Sequence, residues 1–236
     1  MHGPVRALAW VTAPRYKERM LDIVLTGLDW TGTVIFAVTG ALTASRKRMD
    51  IFGFILLGAV TGIGGGSLRD LLLGATPVFW IREPVYLALC VAAAAATFFL
   101  AHIPESRYRV LLWLDAAGLA LFCVIGADRA LAAGTTGFIA VAMGIATATF
   151  GGIIRDLLGG ESPLILRKEI YVTAALAGAL VFVGAVSLGA PQIPAMLAGF
   201  AVCFVVRALA LTYGWSLPVY RARPGRTAEE IEKRRG

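Results

Sequence analysis

Gly65-Gly66-Ser67-Leu68-Arg69-Asp70-Leu71-Leu72-Leu73-Gly74-Ala75-Thr76-Pro77 returns 86 residues later as Gly151-Gly152-Ile153-Ile154-Arg155-Asp156-Leu157-Leu158-Gly159-Gly160-Glu161-Ser162-Pro163. The register holds on both sides of this stretch. Leu28-Asp29 meets Leu114-Asp115, and Gly32, Phe36, Val38, Gly40 and Ala41 meet Gly118, Phe122, Val124, Gly126 and Ala127. Gly58 and Thr61 meet Gly144 and Thr147, and Glu83 meets Glu169. Residues 28–100 laid on 114–186 without a gap share 22 identities. Two unrelated apolar segments share scattered Ala, Gly and Leu, but not this motif at one fixed offset. The chain therefore carries an internal duplication, and a duplication decides architecture before any other feature.

The solvent for most of the chain is lipid. Its 236 residues are 58% hydrophobic and only 16% charged, with mean hydropathy +0.76. A soluble domain carries roughly 45–50% apolar and about 25% charged residues. Residues 51–68, 85–101, 137–154 and 170–206 are uncharged, and the last run is interrupted by Pro191-Gln192-Ile193-Pro194. A helix needs about 20 apolar residues to cross the hydrocarbon. The runs are continuous rather than alternating, which selects helices over a barrel. Spans are predicted at 22–44, 51–73, 84–102, 110–131, 137–159, 170–189 and 193–213. The fold class is an all-α integral membrane protein of seven helices.

Each repeat holds three spans. Three is odd, so the second copy enters the membrane from the opposite side, and the copies are expected to be inverted about an axis in the membrane plane. This divides the chain into an extracytoplasmic segment (1–21), a seven-helix membrane domain (22–213) and a basic cytoplasmic tail (214–236). Within the domain, repeat one covers 22–103, repeat two 108–189 and a seventh helix 193–213. Arg46, Lys47, Arg48, Arg107, Arg109, Arg167, Lys168 and the basic tail all fall on one side. The positive-inside rule makes that side cytoplasmic, with the N-terminus outside. Met20 offers a second possible start, which would remove four basic residues from the outer side. The net charge of +7 suits membrane orientation and anionic lipid at the cytoplasmic face better than nucleic acid.

The chemistry-bearing positions lie inside spans two and five. Gly64, Gly65 and Gly66 stand ahead of Ser67, Arg69 and Asp70, and Gly151 and Gly152 stand ahead of Arg155 and Asp156. Glycine costs a helix about 1 kcal/mol relative to alanine, so these runs are expected to kink or break the spans. Freed backbone groups would then meet an ion in a wet cavity. The alternative is close packing, since Gly58, Gly62 and Gly66 are spaced by four, as are Ala140, Gly144, Ala148 and Gly152. Ionisable residues at membrane depth pair or face water. Helix neighbours at i and i+1 do not face each other, so cross-pairs are expected: Arg69 with Asp156 and Arg155 with Asp70. Asp29 and Asp115 form a further symmetric pair able to accept the arginines. These charges either lock the bundle or line a path for ions.

Other functions find no support. Gly-Gly-Gly-Ser lacks the Gly-Lys-Ser/Thr ending of a phosphate loop and sits in an apolar span. No nucleophile has a base and an orienter beside it, so no enzyme is expected. Cys90, Cys123 and Cys203 lie in spans without Cys-x-x-Cys spacing and read as core residues. His2 and His102 fall near the ends of the apolar map, and no metal or cofactor is expected.

Two copies of Gly-Gly-x-x-Arg-Asp, each in the second helix of a three-helix inverted repeat, with a seventh helix appended, resemble the bacterial trimeric intracellular cation (TRIC) channel family. Uncharacterised members of that family were grouped as glycine-motif membrane proteins. The resemblance covers residues 22–213. It implies a homotrimer with a separate pore in each protomer, conducting monovalent cations and favouring potassium. By that resemblance spans two and five line the pore, kinked at Gly64–Gly66 and Gly151–Gly152. The symmetric glycines and charges themselves suggest a wet path there, on which Ser67 and Thr147 are expected to lie. Gly64 is matched by Phe150, so the second kink is expected to be milder. Some relatives have been proposed to carry glycine, which keeps open a secondary transporter of a small zwitterion. The electrically neutral Arg/Asp pairs favour that alternative over an acidic selectivity ring.

The topology is testable directly. A C-terminal reporter active only in the cytoplasm should be active, and one active only outside should be silent. The reverse pattern would mean a miscounted span.

Overall fold

The structure is a computed structural model that describes residues 13–104, 106–166 and 170–216, with side chains from Ile23 onward. The tail beyond Ser216 and the first twelve residues, each assigned above to one side of the membrane, lie outside the described residues. The described chain forms eight α-helices: α1 (Ala13–Arg46), α2 (Ile51–Leu72), the short α3 (Phe79–Arg82), α4 (Val85–Leu100), α5 (Arg107–Ala132), α6 (Gly137–Leu158), α7 (Val172–Ser187) and α8 (Gln192–Tyr213). A 3-10 turn at Leu164–Leu166 stands before α7.

Five helices are long and apolar enough to cross a membrane: Ile23–Arg46 within α1, then α2, α5, α6 and α8. The other two expected spans, α4 and α7, are apolar but only 16 residues each. At 1.5 Å per residue they reach about 24 Å, less than a hydrocarbon core of about 30 Å. The helix holding span one starts nine residues before the expected boundary. Arg15, Lys17, Glu18 and Arg19 are good helix formers and continue it past the apolar run.

The duplication is visible in the helix ends. α2 and α6 start and stop 86 residues apart. Their N-caps are also 86 apart: Asp50 accepts from the Gly53 amide at 2.8 Å and Thr136 from the Ile139 amide at 3.4 Å. Such a cap satisfies one of the amides that a helix start leaves unpaired. Gly74 and Gly160 follow both helices at φ +69° and +65°, a backbone region that side chains disfavour. In the first half α1, α2 and α4 pack on one another, and in the second α5, α6 and α7 do the same. α1 packs on α5 and α2 on α6, joining the halves, and α8 lies on α5 and α7.

The glycine runs do not break their helices, against the expectation above. α2 and α6 stay α-helical through Gly64–Gly66 and Gly151–Gly152. The glycines instead bring backbones together. A Cβ on Gly65 would run into the carbonyl oxygen of Thr147, and one on Gly151 into that of Thr61. Thr61 and Thr147 are themselves repeat partners, so the contact is reciprocal. A Cβ on Gly64 would approach the Cα of Gly151 at 3.7 Å. The same reciprocity joins α1 to α5. Gly32 lies under the Phe122 ring and Gly118 under the Phe36 ring, whose centroids are 5.2 Å apart. In lipid no hydrophobic drive holds helix to helix, so close van der Waals approach through small residues does that work. That packing offsets the helix-propensity cost of the glycines.

Gly65→Ala and Gly151→Ala should each lower the melting temperature of the solubilised protein. The new methyl meets a backbone carbonyl that cannot move aside, and overpacking costs about 1–3 kcal/mol. A rise in melting temperature, as alanine gives in an unconstrained helix, would return these glycines to the role of helix breakers.

Candidate functional site

Most of the buried ionisable residues gather in two clusters, while Asp128 stands apart and accepts from Gln192 Nε2 at 2.6 Å. α1 and α5 run antiparallel, since Asp29 pairs with Arg129 while Thr39 and Asp115 meet at Arg155. One cluster lies towards each end of this pair. Ten residues of α1 separate Asp29 from Thr39, about 15 Å along the axis.

The first cluster is open. Arg69 donates through Nε and Nη2 to Asp70 Oδ1 at 2.9 and 2.8 Å. Asp70 Oδ2 accepts from the Phe79 amide at 2.8 Å, which ties α3 to the end of α2. Asp29 Oδ2 accepts from the Tyr86 hydroxyl at 3.2 Å and faces Arg129 at 3.8 Å. Arg82 stands 3.7 Å from Asp70. Asp29, Asp70 and Glu83 with Arg69, Arg82 and Arg129 line a cavity of about 370 Å³. Three acids face three bases, so the walls carry no net formal charge. Ser67 lies beside it on α2, donating to the Ile63 carbonyl and accepting from the Trp80 indole at 3.0 Å.

The second cluster is sealed. Arg155 and Asp115 are both 0% exposed and meet at 2.6 Å through Nη1 and Oδ1. The same nitrogen donates to Thr39 Oγ1 at 3.1 Å, and Nε donates to Asp156 Oδ1 at 2.9 Å. Asp156 Oδ2 accepts from the Leu164 amide at 2.9 Å, as Asp70 does from Phe79. Gly152 leaves the space that a side chain would fill beside the Tyr171 hydroxyl, Arg155 Nη2 and Asp115 Oδ1. Thr147 is buried and donates to the Met143 carbonyl.

The expected cross-pairs of Arg69 with Asp156 and Arg155 with Asp70 do not form. Each arginine pairs with the aspartate that follows it. Successive side chains leave a helix about 100° apart, but the long arginine stem bends the guanidinium round that angle. The aspartates are held in place by the amides of the next short element. α2 and α6 meet at their glycines, and each Arg-Asp pair closes its own helix end. Of the further acceptors considered, Asp115 takes Arg155, whereas Asp29 takes Tyr86 and Arg129.

Sequence reasoning missed Tyr86, Tyr171, Arg129, Thr39 and Arg207. The two tyrosines stand in comparable places, Tyr86 on Asp29 and Tyr171 beside Asp115. They are 85 residues apart, so an ungapped offset of 86 sets each against a valine. The Phe79 and Leu164 amides are also 85 apart, which places a one-residue slip after the motif prolines. A gapped comparison of the two halves would have found both pairs. The cysteines are buried and free, as expected of core residues.

Comparison with known proteins agrees with this two-copy construction. A family model described as "Glycine transporter" matches residues 26–102 and again 112–187, with starts 86 apart. A UPF0126 membrane protein of Vibrio cholerae is 41% identical over 209 residues, 86% of each chain. The UPF0126 inner membrane protein YadS of Escherichia coli K12 is 40% identical, over 82% of this chain and 94% of its own. The structure of the TRIC trimeric intracellular cation channel orthologue from Rhodobacter sphaeroides is 64% identical, covers 81% of this chain and 99% of that one, and superposes with a TM-score of 0.80. A second TRIC cation channel structure is 36% identical over 84% and 98% of the two chains, with a TM-score of 0.76. With two matched copies of its repeat and this degree of identity over most of its length, the chain belongs to the UPF0126/TRIC channel family of multi-pass membrane proteins.

Proposed function

We propose that the protein is a homotrimeric channel for monovalent cations, potassium favoured, with one path inside each protomer. The observation that carries this reading is the pair of charge clusters at opposite ends of one helix core, one opening on a polar cavity and the other sealed. The TRIC structures that the chain resembles are named as cation channels, one of them as trimeric. The path runs alongside α2 and α6 rather than between them, past the charged ends that the packed glycines Gly64, Gly65, Gly66, Gly151 and Gly152 set in place. Because those helices are unbroken, side chains rather than freed carbonyls carry the ion. Asp29 and Asp70 receive it at the open end, and Asp115 and Asp156 at the sealed end once Arg155 swings aside. The conformation described is then a closed one. The protein needs no cofactor and catalyses no reaction.

The reciprocal Gly65–Thr147 and Gly151–Thr61 contacts support an inverted pair of three-helix repeats with α8 as the seventh span. The positive-inside rule then sets the N-terminus outside an inner membrane and the basic tail on anionic lipid at the cytoplasmic face. The open cavity lies on the outer side. A second reading, transport of a small zwitterion such as glycine, is favoured by the neutral walls of that cavity and by the description of the matching family.

Planar bilayers separate the two readings. Purified protein should give unitary potassium currents far above any carrier turnover, with a reversal potential that follows a potassium chloride gradient. Saturable glycine uptake without unitary events would establish the transporter instead. The clusters should also respond differently to loss of one carboxylate. Asp115→Asn should destabilise the protein by about 1.5–3 kcal/mol, the loss of one buried charged hydrogen bond, since Asp156 still pairs with Arg155. Asp29→Asn, at a cavity edge with a half-exposed Arg129, should melt close to the native protein but carry smaller unitary currents. Equal melting of both variants would contradict this division.

A further inference from the structure

We infer that Arg207 of α8 is a positioning residue through which the seventh membrane helix holds the sealed cluster shut. This rests on the channel reading. Arg207 is 1% exposed, on a helix outside the duplicated part of the chain. An arginine at this depth is expensive and is kept in place by what it touches. Its guanidinium lies over the Tyr171 ring at 5.2 Å and donates through Nη1 to the Ile170 carbonyl at 3.3 Å. It therefore grips the residue pair that enters α7. Tyr171 in turn presents its hydroxyl to the space beside Gly152, where Asp115 and Arg155 meet. The route runs from α8 through one aromatic ring to the space beside the buried ion pair.

α8 is built to deliver this contact. Gly199, Cys203, Arg207 and Ala210 share its buried face. Higher on that face the backbones of α7 and α8 touch: a Cβ on Gly178 would come within 2.6 Å of Cys203 Cβ and 2.7 Å of the Gly199 oxygen. That seam has no slack, so a tilt of α8 moves Arg207 relative to α7 instead of being absorbed between the helices. The open cluster is held otherwise. Its tyrosine, Tyr86, is flanked by the rings of Phe79 and Trp30, on α3 and α1. The two halves of the duplication thus differ in who holds the tyrosine. In the sealed half it is a cation from the added helix.

The test is single-channel recording on reconstituted Arg207→Gln, Arg207→Lys, Tyr171→Leu and the Arg207→Gln/Tyr171→Leu double variant. Arg207→Gln should raise open probability about tenfold, the order set by losing one desolvated cation–ring contact. Unitary conductance should stay at the native value, because Arg207 holds the gate and does not line the path. Tyr171→Leu should raise open probability by a similar factor, and the double variant should go no further than either alone. Arg207→Lys keeps the charge but loses the planar face, and should rise only about threefold. It keeps the test decisive if the glutamine protein does not assemble. Native-sized currents with unchanged open probability in the lysine and leucine variants would overturn the inference alone. Full additivity in the double variant would overturn the route through Tyr171. Absence of unitary currents in the native protein would overturn the channel reading and this inference with it.

Discussion

The structure depends on one contact: backbone against backbone where α2 crosses α6. Gly65 gives up its side chain to the Thr147 carbonyl, and Gly151 gives up its own to that of Thr61. Each glycine costs its helix about 1 kcal/mol of propensity. In a membrane that cost is offset by dispersion between surfaces that no side chain separates. The rest of the core takes its spacing from this crossing. The Gly32–Phe122 and Gly118–Phe36 pairs set α1 on α5 at the same close approach. The Arg-Asp pair one turn beyond the glycines in each helix is thereby set at its own end of the core.

Those charges are tolerable because each has a partner of opposite sign or a ring beside it. Arg155 meets two aspartates and a threonine, and both aspartates beyond the motif arginines also accept a backbone amide. The second carboxylate oxygen does structural work in each half by fixing the first turn of the next element. The charged groups therefore serve the fold as well as the path proposed for them.

Duplication built two similar ends, and divergence made them unequal. The open end keeps a cavity bordered by partly exposed Arg82 and Arg129. At the other, Tyr171 and the buried Arg207 close over an ion pair that has lost all exposure. A symmetric path would have two equivalent doors. On the proposed reading the added helix contributes to one of them.

The repeat, the membrane class and the positions of the apolar helices were legible along the chain, because each is a property of composition or of a fixed offset. The boundaries of α2 and α6 follow from local chemistry: Asp50 and Thr136 at the starts, Gly74 and Gly160 past the ends. The motif residues were also legible as important, but not for what they do. Whether Gly-Gly bends a helix or admits a neighbour depends on what lies against it, and that is a fact about α6 that α2 does not contain. Whether Arg69 reaches its own neighbour or a distant acid depends on where the Phe79 amide holds the carboxylate. Tyr171 and Arg207 were invisible, one displaced from its counterpart by a single residue and the other without a counterpart. Pattern and solvent decided the elements, and close approach in three dimensions decided their partners.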